Sequence, residues 1–253
     1  LRADGIRNKV ELWAGETTAE SQVNWLPDMA KSIDDIVDAY SFHTYTTVSD
    51  EIGPKVQTVK DASKGKKKVY ITEYNEMQLI SKNVPKFIGG YGGIIINSAN
   101  AGGQGVLNWC LNGMYCMSVT GRHSWTLDSQ YDFWHSQICY GEDRSDFFKN
   151  GSVNTPYYLF SMISRYIDKG SKVVETQIEG GEDLRAATFV SDNRDITVLI
   201  ECDDSDQART LTMNFGKNLN KKFYKHVWTD DISCDQNAII PRTVDSFSCK
   251  TSF

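Results

Sequence analysis

Four short runs rich in β-formers recur in the first half of the chain at the spacing of a strand–helix repeat. This periodicity most restricts the folds open to it. The runs are Val10–Trp13, Ala39–His43, Val69–Thr72 and Val106–Trp109, with first residues 29, 30 and 37 positions apart. Helical patterns lie between them: Ile33–Val37 before the second run, Ile52–Ala62 before the third, Val84–Asn100 before the fourth. Strands alternating with helices at this interval predict parallel pairing through right-handed crossovers. The runs carry apolar residues on both faces, as buried parallel strands do. Four units are too few to close an eight-stranded barrel. Two architectures remain: an open four-stranded sheet, or half of a TIM (β/α)8 barrel.

The period changes near Gly170. Thr155-Pro156 reads as a helix cap followed by proline at the first helical position. Tyr157, Phe160, Ile163 and Ile167 follow at helical spacing, and Gly170 supplies the stop. Beyond it Leu184–Val190, Ile196–Ile200, Thr210–Phe215, Phe223–Trp228 and Val244–Cys249 read as strands between polar turns, with Asp192–Asp195 as a hairpin turn. The expected organisation is an α/β unit over 1–169 and an all-β antiparallel sandwich over 170–253.

In such a unit, functional side chains gather at the carboxyl ends of parallel strands. The four runs end in Trp13-Ala14-Gly15-Glu16, His43-Thr44-Tyr45, Thr72-Glu73-Tyr74-Asn75-Glu76 and Asn108-Trp109. A carboxylate, an imidazole, a phenol and an indole thus meet on one rim. Glycoside hydrolysis needs carboxylates for covalent and acid/base work, and aromatic faces for stacking on sugar C–H groups.

The motifs themselves resemble a family. Val69-Tyr70-Ile71-Thr72-Glu73-Tyr74-Asn75 resembles the seventh barrel strand of clan A retaining glycosidases, family 39 especially, in which the glutamate is the nucleophile. Phe42-His43-Thr44-Tyr45 resembles the sixth strand, whose His or Tyr contacts substrate or nucleophile. Gly105-Val106-Leu107-Asn108-Trp109 resembles the eighth, whose aromatic residue floors the reacting-sugar subsite. Tyr157-Tyr158-Leu159-Phe160 through Gly170-Ser171-Lys172-Val173 resembles the link to the accessory sandwich of families 30 and 39, and Ile240–Phe247 its closing strand. The resemblance implies the second half of a barrel plus a sandwich, with Glu73 catalytic and His43, Tyr45, Trp109, Glu16, Trp13 and Asn108 around the substrate. It implies double displacement on a carbohydrate, with no metal or organic cofactor.

One departure matters. The clan's acid/base follows the fourth strand, and no such strand precedes Val10; Leu1–Arg7 reads as the end of the helix that would follow it. The proton donor is therefore expected outside this chain. An N-terminal half-barrel, or another copy, is expected to cover the open sheet edges. Leu1-Arg2-Ala3-Asp4 reads as the interior of a longer reading frame. The alternative function is a non-catalytic carbohydrate-binding or structural protein that keeps the platform and lacks the acid.

Plainer readings accompany several residues. Glu16 reads as a rim hydrogen-bonder before a substitute acid, and Glu76 as a solvated charge. His123, Trp125, Trp134 and His135 lie in the long segment 110–151, and form either outer subsites or a small core of that segment.

Composition removes other classes. A net charge of −6 argues against nucleic acid, which needs a basic face. The one basic cluster, Lys64–Lys68, reads as a solvated loop. No apolar run reaches the roughly 18 residues of a membrane span. Six cysteines without a CxxC pair argue against structural zinc. With the sequon Asn150-Gly151-Ser152, they favour a secreted or lysosome-like compartment and a glycoprotein. Cys234 is expected to pair with Cys249, and Cys110 with Cys116.

Overall fold

The computed structural model of this 253-residue protein describes residues 1–16, 25–44, 49–74, 89–108, 112–114, 138–140, 155–181, 183–202, 210–216, 219, 221–228 and 243–248. Among these, β1 (Trp13–Gly15), β2 (Ala39–Thr44), β3 (Lys68–Tyr74) and β4 (Gly105–Asn108) form a parallel sheet in sequence order. Helices α1 (Leu26–Ile33), α2 (Ile52–Ala62) and α3 (Gly89–Asn100) connect successive strands. They pack on one face of the sheet.

That face is made by side-chain alternation. Tyr40 and Phe42 of β2 point to it, as do Val69, Ile71 and Tyr74 of β3. Helix α2 answers with Ile52, Val56 and Val59, one face at helical spacing, all inaccessible to solvent. Leu26 and Ala30 of α1 and Ile94 and Ile95 of α3 complete the cluster. Fully burying each aliphatic or aromatic side chain of this kind contributes about 1.5–3 kcal/mol. The opposite face of β2 carries Ala39, Ser41 and His43. Trp13 and Tyr70 stack beside these small residues, with ring centroids 4.0 Å apart.

Helix α4 (Thr155–Tyr166) leads to an antiparallel sheet of β7 (Lys172–Val174), β8 (Leu184–Val190) and β9 (Ile196–Cys202). The β8–β9 turn closes through Ser191 N–H to the Asp195 carbonyl, with Arg194 at φ 63°. A further antiparallel pair joins β10 (Lys222–His226) to β11 (Thr243–Ser248). Helix α3 bridges the units: Ile96 and Ala99 pack with Ala187 and Phe189, and Arg185 donates to Asp50 at 2.8 Å.

Several expectations need correction. The first strand runs Trp13–Gly15 instead of Val10–Trp13, because Asp38 takes the Leu12 N–H at 2.7 Å and Arg7 braces the same carboxylate. Arg2–Gly5 is turn, with Gly5 at φ 66°, and a short 3-10 helix follows at Arg7–Lys9, so Leu1–Arg7 is not the end of an α-helix. The helix expected at Ile33–Val37 lies earlier, at Leu26–Ile33, where Pro27 occupies its first turn. Residues 210–216 form no strand, whereas the three-residue edge strand β7 was not expected. The segment 110–151 contributes β5 (Asn112–Met114) and β6 (Ile138–Tyr140), paired in parallel. No helix among the described residues is long and apolar enough to cross a membrane. Tyr45, Trp109, Glu76, His123, Trp125, Trp134, His135, the sequon and both expected disulfides lie outside the described residues.

Candidate active site

The carboxyl ends of β1, β2 and β3 bring Glu16, His43 and Glu73 together. The Glu16 Oε2 atom lies 2.7 Å from His43 Nε2, and His43 Nδ1 lies 3.1 Å from Glu73 Oε2. The imidazole, only 11% exposed, therefore sits between two carboxylates from the neighbouring strands.

Two backbone features produce this arrangement. The register between β2 and β3 shifts between Phe42 and His43, so Phe42 pairs with Ile71 but His43 pairs with Glu73. Regular alternation would send Thr72 and Glu73 to opposite faces. With the bulge, Thr72 reaches Glu16 while Glu73 reaches His43, the re-aiming that bulges perform beside functional sites. On the other side, Gly15 has φ 124° and lies so close to β2 that a Cβ would fall 1.9 Å from the Ser41 carbonyl oxygen. Glu16 follows at φ 48°, with its N–H donating to that same oxygen at 3.1 Å. A non-glycine residue in this region is uncommon, and such strain concentrates at functional sites.

The Glu16 carboxylate is heavily engaged. Its Oε1 accepts from Ser41 Oγ at 2.5 Å and from Thr72 Oγ1 at 2.9 Å. Partial burial opposes its charge, but the hydrogen bonds from Ser41, His43 and Thr72 outweigh that and hold its carboxyl below the usual carboxylate range. An ionised carboxylate only accepts, so His43 Nε2 is the donor in their contact. These bonds oppose a role for Glu16 as proton donor. The Nδ1 contact with Glu73 is of a different kind: it is close in distance but outside hydrogen-bond geometry, and no other partner meets Nδ1 among the described residues.

The remaining sequence candidates divide by position. Asn108 donates from Nδ2 to the Tyr74 carbonyl at 3.3 Å, tying β4 to β3 one residue beyond Glu73. Trp13 begins β1, in register with the first residue of β2, so it sits at the amino end of the strand whose other end delivers Glu16. Its indole N–H donates to Glu11 at 3.1 Å. Ser41 and Thr72 were not singled out from sequence; their only signal was a place in the strands beside named residues. No group of three or more metal-ligating side chains suited to an ion occurs among the described residues.

The fold is glycoside hydrolase-like. Residues 6–88, which contain all three site residues, match the family model described as glycosyl hydrolase catalytic core. Among solved structures, SrfJ from Salmonella typhimurium superposes with a TM-score of 0.57 at 18% identity, covering 78% of this chain and 41% of SrfJ. A GH30 endoxylanase from Clostridium papyrosolvens C71 superposes with a TM-score of 0.42 at 15% identity, covering 72% of this chain and 39% of the enzyme. The chain spans about two fifths of the length of these structures. A search of curated proteins finds no match.

Proposed function

We propose that this chain is part of a retaining glycoside hydrolase in which Glu73 is the nucleophile. The observation that carries the reading is the bulge in β3, which sets Glu73 at a strand's carboxyl end against His43, within a glycoside hydrolase-like fold. Glu73 attacks the anomeric carbon and forms an ester to the sugar as the glycosidic C–O bond breaks. An acid protonates the departing oxygen, and water, activated by the same group, then hydrolyses the ester. That acid lies about 5–5.5 Å from the nucleophile in retaining enzymes. Glu16 is a poor candidate for it, being held as an anion by three donors. The acid therefore comes from β-α units beyond these four, on the same or another chain. Those units complete a barrel whose second half is this parallel sheet, and they cover the edges of β1 and β4. The sandwich reading of 170–253 goes with the same architecture. Tyr45 and Trp109 contact the sugar, Trp109 as its stacking floor, and the cysteine set suits a secreted or lysosome-like compartment.

A mechanism-based cyclophellitol-type or fluorosugar probe is expected to label Glu73 in the barrel-complete protein. Glu73→Gln is expected to lower turnover by about 10⁴-fold or more while sugar binding persists, because the amide keeps the shape and loses the nucleophilic charge. Turnover indifferent to this substitution would remove the assignment. A second reading, a binding-only relative, is favoured by the engagement of Glu16 away from acid duty. Sugar binding without hydrolysis across a panel of aryl glycosides would establish it.

A further inference from the structure

We propose that Glu16 is a positioning residue, which through His43 Nε2 orients the imidazole so that Nδ1 faces the Glu73 carboxylate. The consequence for catalysis rests on the reading of Glu73 as nucleophile; the positioning itself does not.

Three observations converge on this role. The backbone is shaped to deliver Glu16: Gly15 leaves no room for a side chain against Ser41, and Glu16 itself accepts φ 48°. A residue needed only as surface charge would not sit in a left-handed conformation that glycine or asparagine fills at less cost. The carboxylate is itself held from both neighbouring strands, by Ser41 Oγ of β2 and Thr72 Oγ1 of β3 on Oε1. With His43 on Oε2, three of its roughly four lone-pair sites are occupied, which is the signature of an anchor and not of a group awaiting substrate. Among the described residues, the ring it anchors has no competing partner at its other nitrogen. Among the described residues, Glu16 and Glu73 are the carboxyl groups facing that ring. The last torsion of an imidazole is broad, so the Nε2 bond to Glu16 is what holds Nδ1 on the side of Glu73.

The network predicts what an amide would do. In Glu16→Gln, the amide oxygen stays with the two hydroxyl donors and the NH2 group takes the place of Oε2. His43 Nε2 must then accept, and its proton is lost or moved to Nδ1. Glu16→Gly suits φ 48°, so it removes the carboxylate without a backbone penalty and leaves the ring unanchored.

The test is long-range ¹H–¹⁵N NMR of the histidine ring nitrogens in the 253-residue chain, with the His43 signals identified by their loss in His43→Gln. Nε2 is expected to be protonated in the native chain and unprotonated in Glu16→Gln. In Glu16→Gly, the two ring nitrogens are expected to average. An unprotonated Nε2 in the native chain, or a ring pattern unchanged in both variants, would overturn the proposal. Probe labelling of Glu73 in the barrel-complete protein then reads the consequence. Its rate is expected to fall about 10- to 100-fold in Glu16→Gln, the scale seen when outer partners of site histidines are removed, with sugar affinity retained. If the ring pattern changes and no protein labels, the nucleophile reading falls and the positioning stands. If native and variant label Glu73 at equal rates, the hydrolase reading stands and the catalytic consequence of the positioning is refuted.

Discussion

The two ends of the parallel sheet hold their charges in opposite ways. At the amino end Asp38 and Glu11 each meet a base. Arg7 donates to Asp38 at 3.0 Å, Lys68 to Glu11 at 2.6 Å, and Lys67 to the Val37 carbonyl at 2.7 Å. At the carboxyl end two carboxylates flank one imidazole, the hydroxyls of Ser41 and Thr72 donate to Glu16, and Glu16 itself stands at φ 48°. Paired charges at the bottom of parallel strands contribute modestly to stability, whereas backbone strain at the top persists only where the surrounding structure holds it. The same sheet therefore carries paired opposite charges at one end and two carboxylates around one imidazole at the other.

Gly15→Ala should break the contrast most severely. The new methyl group would lie 1.9 Å from the Ser41 oxygen and 2.9 Å from Leu26 Cδ2, in a backbone conformation that side chains resist. The backbone oxygen cannot step aside without opening β1 from β2, which also breaks the Glu16 N–H bond to Ser41. Denaturant unfolding should show a loss of about 3 kcal/mol or more, with displaced His43 ring signals. A variant within about 0.5 kcal/mol of the native chain, the range of ordinary surface changes, would mean that the junction is looser than its geometry implies.

How far the sequence foretold this contrast depends on whether a feature is local. Helix α2 and strand β8 fall at the expected residues, Ile52–Ala62 and Leu184–Val190, because each carries its own uninterrupted period. The first strand was misplaced by three residues because Val10-Glu11-Leu12-Trp13 alternates like a strand, while Asp38, far along the chain, captures the Leu12 N–H. Glu73, His43 and Glu16 were legible as strand-end residues. Their meeting on one rim was an expectation too, but which atoms meet was not legible, since that depends on a register shift at His43 that no single-strand pattern encodes. Gly15 likewise reads as a strand breaker, and only the neighbouring Ser41 carbonyl shows it to be a close-approach position. Lys172–Val174 is three exposed residues long, too short for any period to announce it.

A middle-sized effect is expected at the amino end from Asp38→Asn, and its sign follows from ionisation. The Arg7 hydrogen bond, with that from the Leu12 N–H, holds the Asp38 carboxyl below the usual aspartate range. A carboxyl whose folded value is depressed contributes stability above its unfolded value, near 3.9, and loses it as pH falls through the folded value. The difference between native chain and Asp38→Asn should therefore be full and constant above about pH 5, then shrink as the medium is made more acid. Urea midpoints measured at intervals from neutral to acid pH check this. A difference that does not vary with pH would mean that Asp38 acts through its hydrogen bonds alone, as asparagine can.

The smallest effect is expected from Lys68→Ala, and salt gives it diagnostic value. Lys68 and Glu11 are each 47% exposed, so water already solvates both charges well and their attraction contributes little net stability. Raising the ionic strength to about 1 M shortens the screening distance to about 3 Å, which should bring the unfolding midpoints of Lys68→Ala and the native chain together. Gly15→Ala should show no such convergence, because a steric overlap is indifferent to salt. If the Lys68→Ala deficit survives high salt, the lysine contributes through its aliphatic stem covering the sheet edge and not through its charge. The amino end would then be a packed surface that happens to be charged, and electrostatic balance would no longer be what separates it from the strained, acid-rich end above.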